Sequence, residues 1–217
     1  MQKNKTLLEL FICIFIVSIL FIPTLDRPWL LYDENILFNG NYFPIPISIS
    51  EMFEIIKTFG LNFNIISSNL MYSSNHVTRT APLGQILGMT ISFFFQKNPF
   101  YFHLFNFSLH IINTCLVFFI LKYFLKSNGC FLILLTSIWA IHPVMIEPIL
   151  LSTNFGATYS YMFFFAFLLD FLKNRHKNTS IKRIILIPII FLIPMLTNEY
   201  IVTTSLVLFT ISFFYVY

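Results

Sequence analysis

Residues 1–23, "MQKNKTLLELFICIFIVSILFIP", begin with two lysines and continue as a nearly continuous apolar run. Cleaved leaders and retained anchors share that basic start, but this run is long and no small-x-small cleavage site follows it. It reads as a retained signal-anchor span over residues 6–22. Lys3 and Lys5 place the N-terminus in the cytoplasm by the positive-inside rule. Pro23, Asp26 and Pro28 end the helix on the far side.

Composition points the same way. The 217 residues are 57% hydrophobic and 10% charged, with 29 Phe, and that much apolar surface does not fit inside one soluble core. Mean hydropathy is +0.80. A span takes about 20 apolar residues to cross about 30 Å of hydrocarbon, so the chain holds at most about six. The expected fold is all-α, a polytopic transmembrane helical bundle embedded in a lipid bilayer. Cys13, Cys115 and Cys130 fall in or beside apolar segments at no metal-ligand spacing, so they read as small core residues.

The basic residues order the later spans. "FHLFNFSLHIINTCLVFFILKYFLK" (102–126) ends in Lys122 and Lys126, and "CFLILLTSIWAIHP" (130–143) climbs back. "YSYMFFFAFLLDFLKNRHK" (159–177) returns to Lys173, Arg175 and Lys177. "KRIILIPIIFLIPMLTNE" (182–199) leaves from Lys182 and Arg183, and "YIVTTSLVLFTISFFYVY" (200–217) closes the sequence inside an apolar run. Every dense basic cluster is cytoplasmic if residues 23–99 form one long non-cytoplasmic loop and 100–217 hold the remaining spans. The net charge of +4 is then topological and calls for no nucleic acid.

The long loop carries structure of its own. "APLGQILGMTISFFF" (81–95) is short for a span, contains Gly84, Gln85 and Gly88, and reads as a juxtamembrane or re-entrant helix. "SISEMFEIIKTFG" (48–60) reads as an amphipathic helix on the membrane surface, capped by Ser50. The polar stretch 62–78 between them suits a rim over a site.

Acidic residues gather on the non-cytoplasmic side under this topology. Asp33 and Glu34 follow span one, Glu147 follows His142 by five residues, and Glu199 ends span five. Charged groups beside a membrane are costly unless paired, hydrated or used, so this ring is a candidate site. The plainer reading is that they mark the water interface. In "AIHPVMIEP" (140–148), Pro143 lacks an amide donor and disfavours helix at His142, so the helix should break there and free carbonyls. His103 and His110, with Asn106 and Asn113 nearby, share one face of span two and suit interhelical hydrogen bonds better than ligand binding. The five His form no close pair, so a divalent metal is not supported and no cofactor is expected.

The ordered series "DEN", "HVTRTAPLGQILG", "NPFYFHLFNFSLHIINTCLVFFIL", "IHPVMIEPILLSTNFGATYS" and "LTNEY" resembles the N-terminal half of the GT-C membrane glycosyltransferases. The nearest pattern is that of the protein O-mannosyltransferases and the transmembrane and tetratricopeptide O-mannosyltransferase family. The resemblance implies transfer of a mannose-type sugar from a polyprenyl-phosphate donor to an acceptor protein or lipid hydroxyl. It implies Asp33 as the catalytic base and Glu34 as its neighbour orienting the acceptor or a cation. Arg79, with His76 behind it, would hold the carrier phosphate, since a guanidinium grips phosphate through two hydrogen bonds; a headgroup anchor is the plainer role for Arg79. His142, Glu147, Asn154 and Glu199 complete the expected substrate-binding set. Asn154 and Phe155 stand where relatives carry an Arg, which loosens the expected grip on phosphate. Relatives have more spans, so the expectation is an incomplete module. A non-catalytic transporter, channel subunit or remnant is the competing class. Asn/Lys/Ile/Phe-rich usage favours a bacterial inner membrane over the endoplasmic reticulum.

Overall fold

The computed structural model describes residues 2–28, 48–51, 53–54, 90–96, 98–125, 129–150 and 155–174. All regular structure among the described residues is helical: α1 (Gln2–Phe21), α2 (Pro99–Leu125), α3 (Cys130–Ala140), α4 (Pro143–Leu150) and α5 (Phe155–Asn174). A 3-10 turn, Ile22–Thr24, extends α1, with Pro23 inside it and the Thr24 hydroxyl donating to the Phe21 carbonyl at 2.7 Å. Shorter helical stretches cover 49–51, 53–54 and 90–95.

Two of these helices, α1 with its 3-10 extension and α2, are long and apolar enough to cross a membrane. The other expected spans differ. Helix α3 has 11 residues, about 16 Å, and stops short of a bilayer's thickness. Helix α5 has 20 residues but begins with Gly156, Thr158, Tyr159, Ser160 and Tyr161, so it is long enough and less apolar. The two spans expected within 182–217 lie outside the described residues.

Contacts fix the helix directions. The Phe21 and Phe107 rings sit 6.4 Å apart, and the Lys122 ammonium donates to the Thr6 hydroxyl. Fifteen residues separate Thr6 from Phe21 and fifteen separate Phe107 from Lys122, so α1 and α2 run antiparallel in constant register. Cys13 packs with Phe118 and Leu132, and Phe21 with Ala140, which makes α3 parallel to α1. Helix α2 is the centre, packed against all four others and most extensively against α5. Asn113 meets Thr158 and Phe119 meets Lys173, so α2 and α5 are parallel.

The two ends of this bundle differ in chemistry. Lys5, Lys122 and Lys173 share one, the basic end. At the other, Leu25, Phe100, Trp139, Ala140 and Ile149 close over Phe21 and Phe107.

Among the described residues, large apolar side chains also cover the outside, and polar ones share the interior with the apolar core. Leu8, Phe11, Phe15, Leu134 and Ile138 are each at least half exposed, while His103, Asn106, His110, Asn113 and Thr114 of α2 are buried. The buried polar side chains find partners across helices, as His110 and Asn113 do, or within their own helix. Thr114, Thr136 and Ser160 donate to the carbonyl four residues back, which satisfies each hydroxyl within its own helix.

Helix starts follow local rules. Asn98 caps α2, its Oδ1 accepting the Phe100 N–H at 3.0 Å, with Pro99 at the first helical position where no donor is missed. Phe95 stacks on Tyr101 at 4.5 Å across this corner, and Ile91 packs on Phe102, so 90–95 folds back onto α2. The cap expected at Ser50 belongs instead to Ser48, whose Oγ accepts the Glu51 N–H at 3.1 Å. Ser48 and Glu51 are three apart, the spacing of a capping box, and the helix begins a residue before Ser50.

Candidate functional site

The end opposite the lysines is built around a break that the sequence imposes. Pro143 has no N–H to offer and forces His142 out of helical geometry. The last bonds of α3 are Ile141 N–H to Ser137 O at 2.9 Å and His142 N–H to Trp139 O at 3.3 Å. Pro143 then serves as the first residue of α4, and the Met145 N–H returns to the His142 carbonyl at 2.8 Å.

A continuing helix would give the Ala140 carbonyl to the Val144 N–H. That carbonyl instead accepts from His110 Nε2 of α2 at 3.0 Å, inside the bundle. The acceptor can only accept, so Nε2 carries the proton. The His110 ring stacks on Trp139 at 5.7 Å and 15° and meets Phe21 edge-on at 5.6 Å. Trp139 meets Phe165 of α5 at 5.5 Å. One imidazole thereby joins α1, α2 and α3, with α5 reached through the indole.

The released Val144 N–H finds its own partner, His142 Nδ1, at 3.3 Å. With Nδ1 accepting, the neutral ring carries its proton on Nε2. His142 is exposed and, among the described residues, that N–H is left as a donor at the surface of this end, suited to a phosphate oxygen or a sugar hydroxyl. Glu147 occupies the fifth position of α4, and the buried Ile149 two residues on ties α4 into the Phe21 cluster. Asp26 and Arg27, both exposed, follow α1 beyond the buried Leu25. The structure therefore brings His142, the backbone of Glu147 and the exit of α1 to one end. Asp33, Glu34, His76, Arg79, Asn154 and Glu199 lie outside the described residues.

The polar face of α2 joins helices, as its spacing led one to expect. Asn113 Nδ2 donates to the Thr158 carbonyl of α5 at 2.9 Å, beside the His110 bond to α3. The buried hydroxyls Ser92, Ser137 and Thr158 escaped the sequence reading, and Glu9, which that reading places near the cytoplasmic end of span one, is also buried, at the basic end. Small hydroxyls in apolar runs carry no periodic signal. Glu9 carried one, since it continues the four-residue stripe of Cys13, Val17 and Phe21. Among the described residues no group of three or more His, Cys, Asp or Glu could hold a metal ion.

No protein-family model, curated protein or solved structure matches the chain.

Proposed function

We propose that the chain is a GT-C-like membrane glycosyltransferase protein, moving a mannose-type sugar from a polyprenyl-phosphate carrier to a protein or lipid hydroxyl. The observation that carries the reading is the break at His142–Pro143, which sets an exposed imidazole and α4 at the same end as the exit of α1, opposite Lys5, Lys122 and Lys173. A lysine-rich end is the cytoplasmic end of a multi-pass protein, which supports a cytoplasmic N-terminus and a site on the other face, in a bacterial inner membrane by preference. Chain broken at membrane depth is tolerated where it lines a cavity, the setting in which a lipid-borne sugar is met.

The chemistry follows from the residues assigned. Asp33 takes the proton of the acceptor hydroxyl, whose oxygen forms the new bond to the anomeric carbon. The bond from that carbon to the carrier phosphate breaks, and the phosphate leaves with the electron pair. Arg79 and His76 receive its charge, with His142 Nε2–H as a further donor. Glu34, Glu147, Asn154 and Glu199 hold the sugar and acceptor. A second reading, a non-catalytic subunit of a transporter or channel, draws on the buried imidazoles and amides of α2, since intramembrane polar groups also line transport paths.

Sugar transfer from labelled polyprenyl-phosphate mannose, in membranes carrying wild type or Asp33→Asn at equal expression, separates the two. Transfer that is lost with Asp33→Asn supports the transferase. Equal transfer in both removes Asp33 as base, and no transfer in either favours the non-catalytic reading.

A further inference from the structure

Glu9 has no place in the proposed chemistry, which lies at the other end of the bundle. It is 3% exposed, and among the described residues neither carboxylate oxygen has a hydrogen-bond partner. A carboxylate in this setting is destabilising unless a cation reaches it. One cation stands a helical turn away. The Lys122 ammonium crosses from α2 to the hydroxyl of Thr6, three residues before Glu9 on the same helix, and side chains at that spacing are about 5–6 Å apart.

We propose that Glu9 is a second seat for the Lys122 ammonium, and that the two form an intramembrane strap tying α1 to α2 at the basic end. The constant register of the two helices brings α2 residues 119–122 against Thr6 and Glu9, and a four-carbon stem spans one turn without moving either backbone. An ammonium facing a carboxylate gains a charge–charge attraction that a hydroxyl does not offer, so the Glu9 seat is the tighter one and Thr6 the resting place when the strap is open. The other nearby cations fit less well. Lys5 is exposed and lies on the same helix as Glu9 in the weaker order of an i, i+4 pair, so it would tie nothing across helices. Lys173 of α5 sits over the Phe119 ring, 5.8 Å from its centroid.

Cys13, fully buried one turn beyond Glu9 between Phe118 and Leu132, reports on the strap. The experiment is alkylation of Cys13 by N-ethylmaleimide in membranes, in full-length chain with Cys115→Ser and Cys130→Ser. Glu9→Gln and Lys122→Gln are each expected to speed labelling severalfold. The double variant should be no faster than either single, Thr6→Val should stay near wild type, and the exchange Glu9→Lys with Lys122→Glu should restore slow labelling. Wild-type labelling in Glu9→Gln, or independent effects that multiply in the double variant, would overturn the proposal. If Glu9→Gln does not accumulate, Glu9→Asp replaces it. The shortened acid should then label between wild type and Lys122→Gln, and a wild-type rate there also overturns the strap.

Discussion

His110 of α2 donates a hydrogen bond to the carbonyl of Ala140, 3.0 Å away on α3, and it can do so because Pro143 has withdrawn that carbonyl's helical partner. The imidazole and the proline, 33 residues apart in sequence, are therefore two halves of one joint. The joint consists of a broken helix end and the side chain that satisfies it.

Replacing His110 with Leu leaves the Ala140 carbonyl without a donor in the bundle and removes the ring stacked on Trp139. Interhelical hydrogen bonds in membrane proteins contribute about 0.6 kcal/mol on average and about 1.7 at most, so His110→Leu should cost about 1–2 kcal/mol once the lost stacking is included. His110→Gln, which can still donate, should recover part of it. Thermal unfolding of the purified chain in detergent checks both.

Asn113 joins α2 to α5 through the Thr158 carbonyl. Asn113→Leu is expected to lose about 0.5–1.5 kcal/mol. Asn113→Asp should lose more, because it removes the donor and buries a charge facing a carbonyl oxygen. The two variants are compared in the same unfolding measurement.

His142 caps α4 through Nδ1. His142→Asn preserves a side-chain acceptor at the position before the helix and should keep stability within about 0.5 kcal/mol, whereas His142→Leu should cost about 1 kcal/mol. If the ring also donates to substrate, His142→Asn will retain the fold and lose sugar transfer, which separates the two duties of one residue.

Gly129 precedes α3 with φ +112°, in a region of backbone space that side-chain-bearing residues rarely enter, and its carbonyl accepts the Leu132 N–H at 3.1 Å. A Cβ placed there would meet nothing within 4 Å, so the cost of Gly129→Ala is purely conformational, about 1–3 kcal/mol. A D-alanine at the same position, introduced by semisynthesis, should carry almost none of that cost.

How far the fold could be read in advance depended on which signals are local. The first apolar helix α1, the long α2 and the break at Pro143 were all legible, because each rests on apolar run length or on a missing N–H. The polar face of α2 was legible as a joining face, since His103, Asn106, His110 and Asn113 recur at spacings of three and four. Its partners were not, because a backbone carbonyl such as that of Ala140 leaves no trace in a residue pattern. The brevity of α3 was hidden in an apolar run that continues past the break. Glu9 was read as lying near the cytoplasmic end of span one. Its burial depended on where Lys122 and α2 come to rest, which is tertiary information. Of the candidate site, the sequence named His142 and Glu147 and the structure sets them at one end; the remaining named residues lie outside the described part.

The stacking of Trp139 on His110 also has an optical consequence. The chain has two tryptophans, Trp29 and Trp139. With Trp29 changed to Phe, all indole emission would come from a ring held between an imidazole and the Phe165 edge at the meeting point of α2, α3 and α5. Protonated imidazoles quench indoles, and water entering such a joint shifts their emission to the red. The protein therefore contains a built-in fluorophore whose colour and brightness register whether its central joint is closed, readable in the purified chain with no added label.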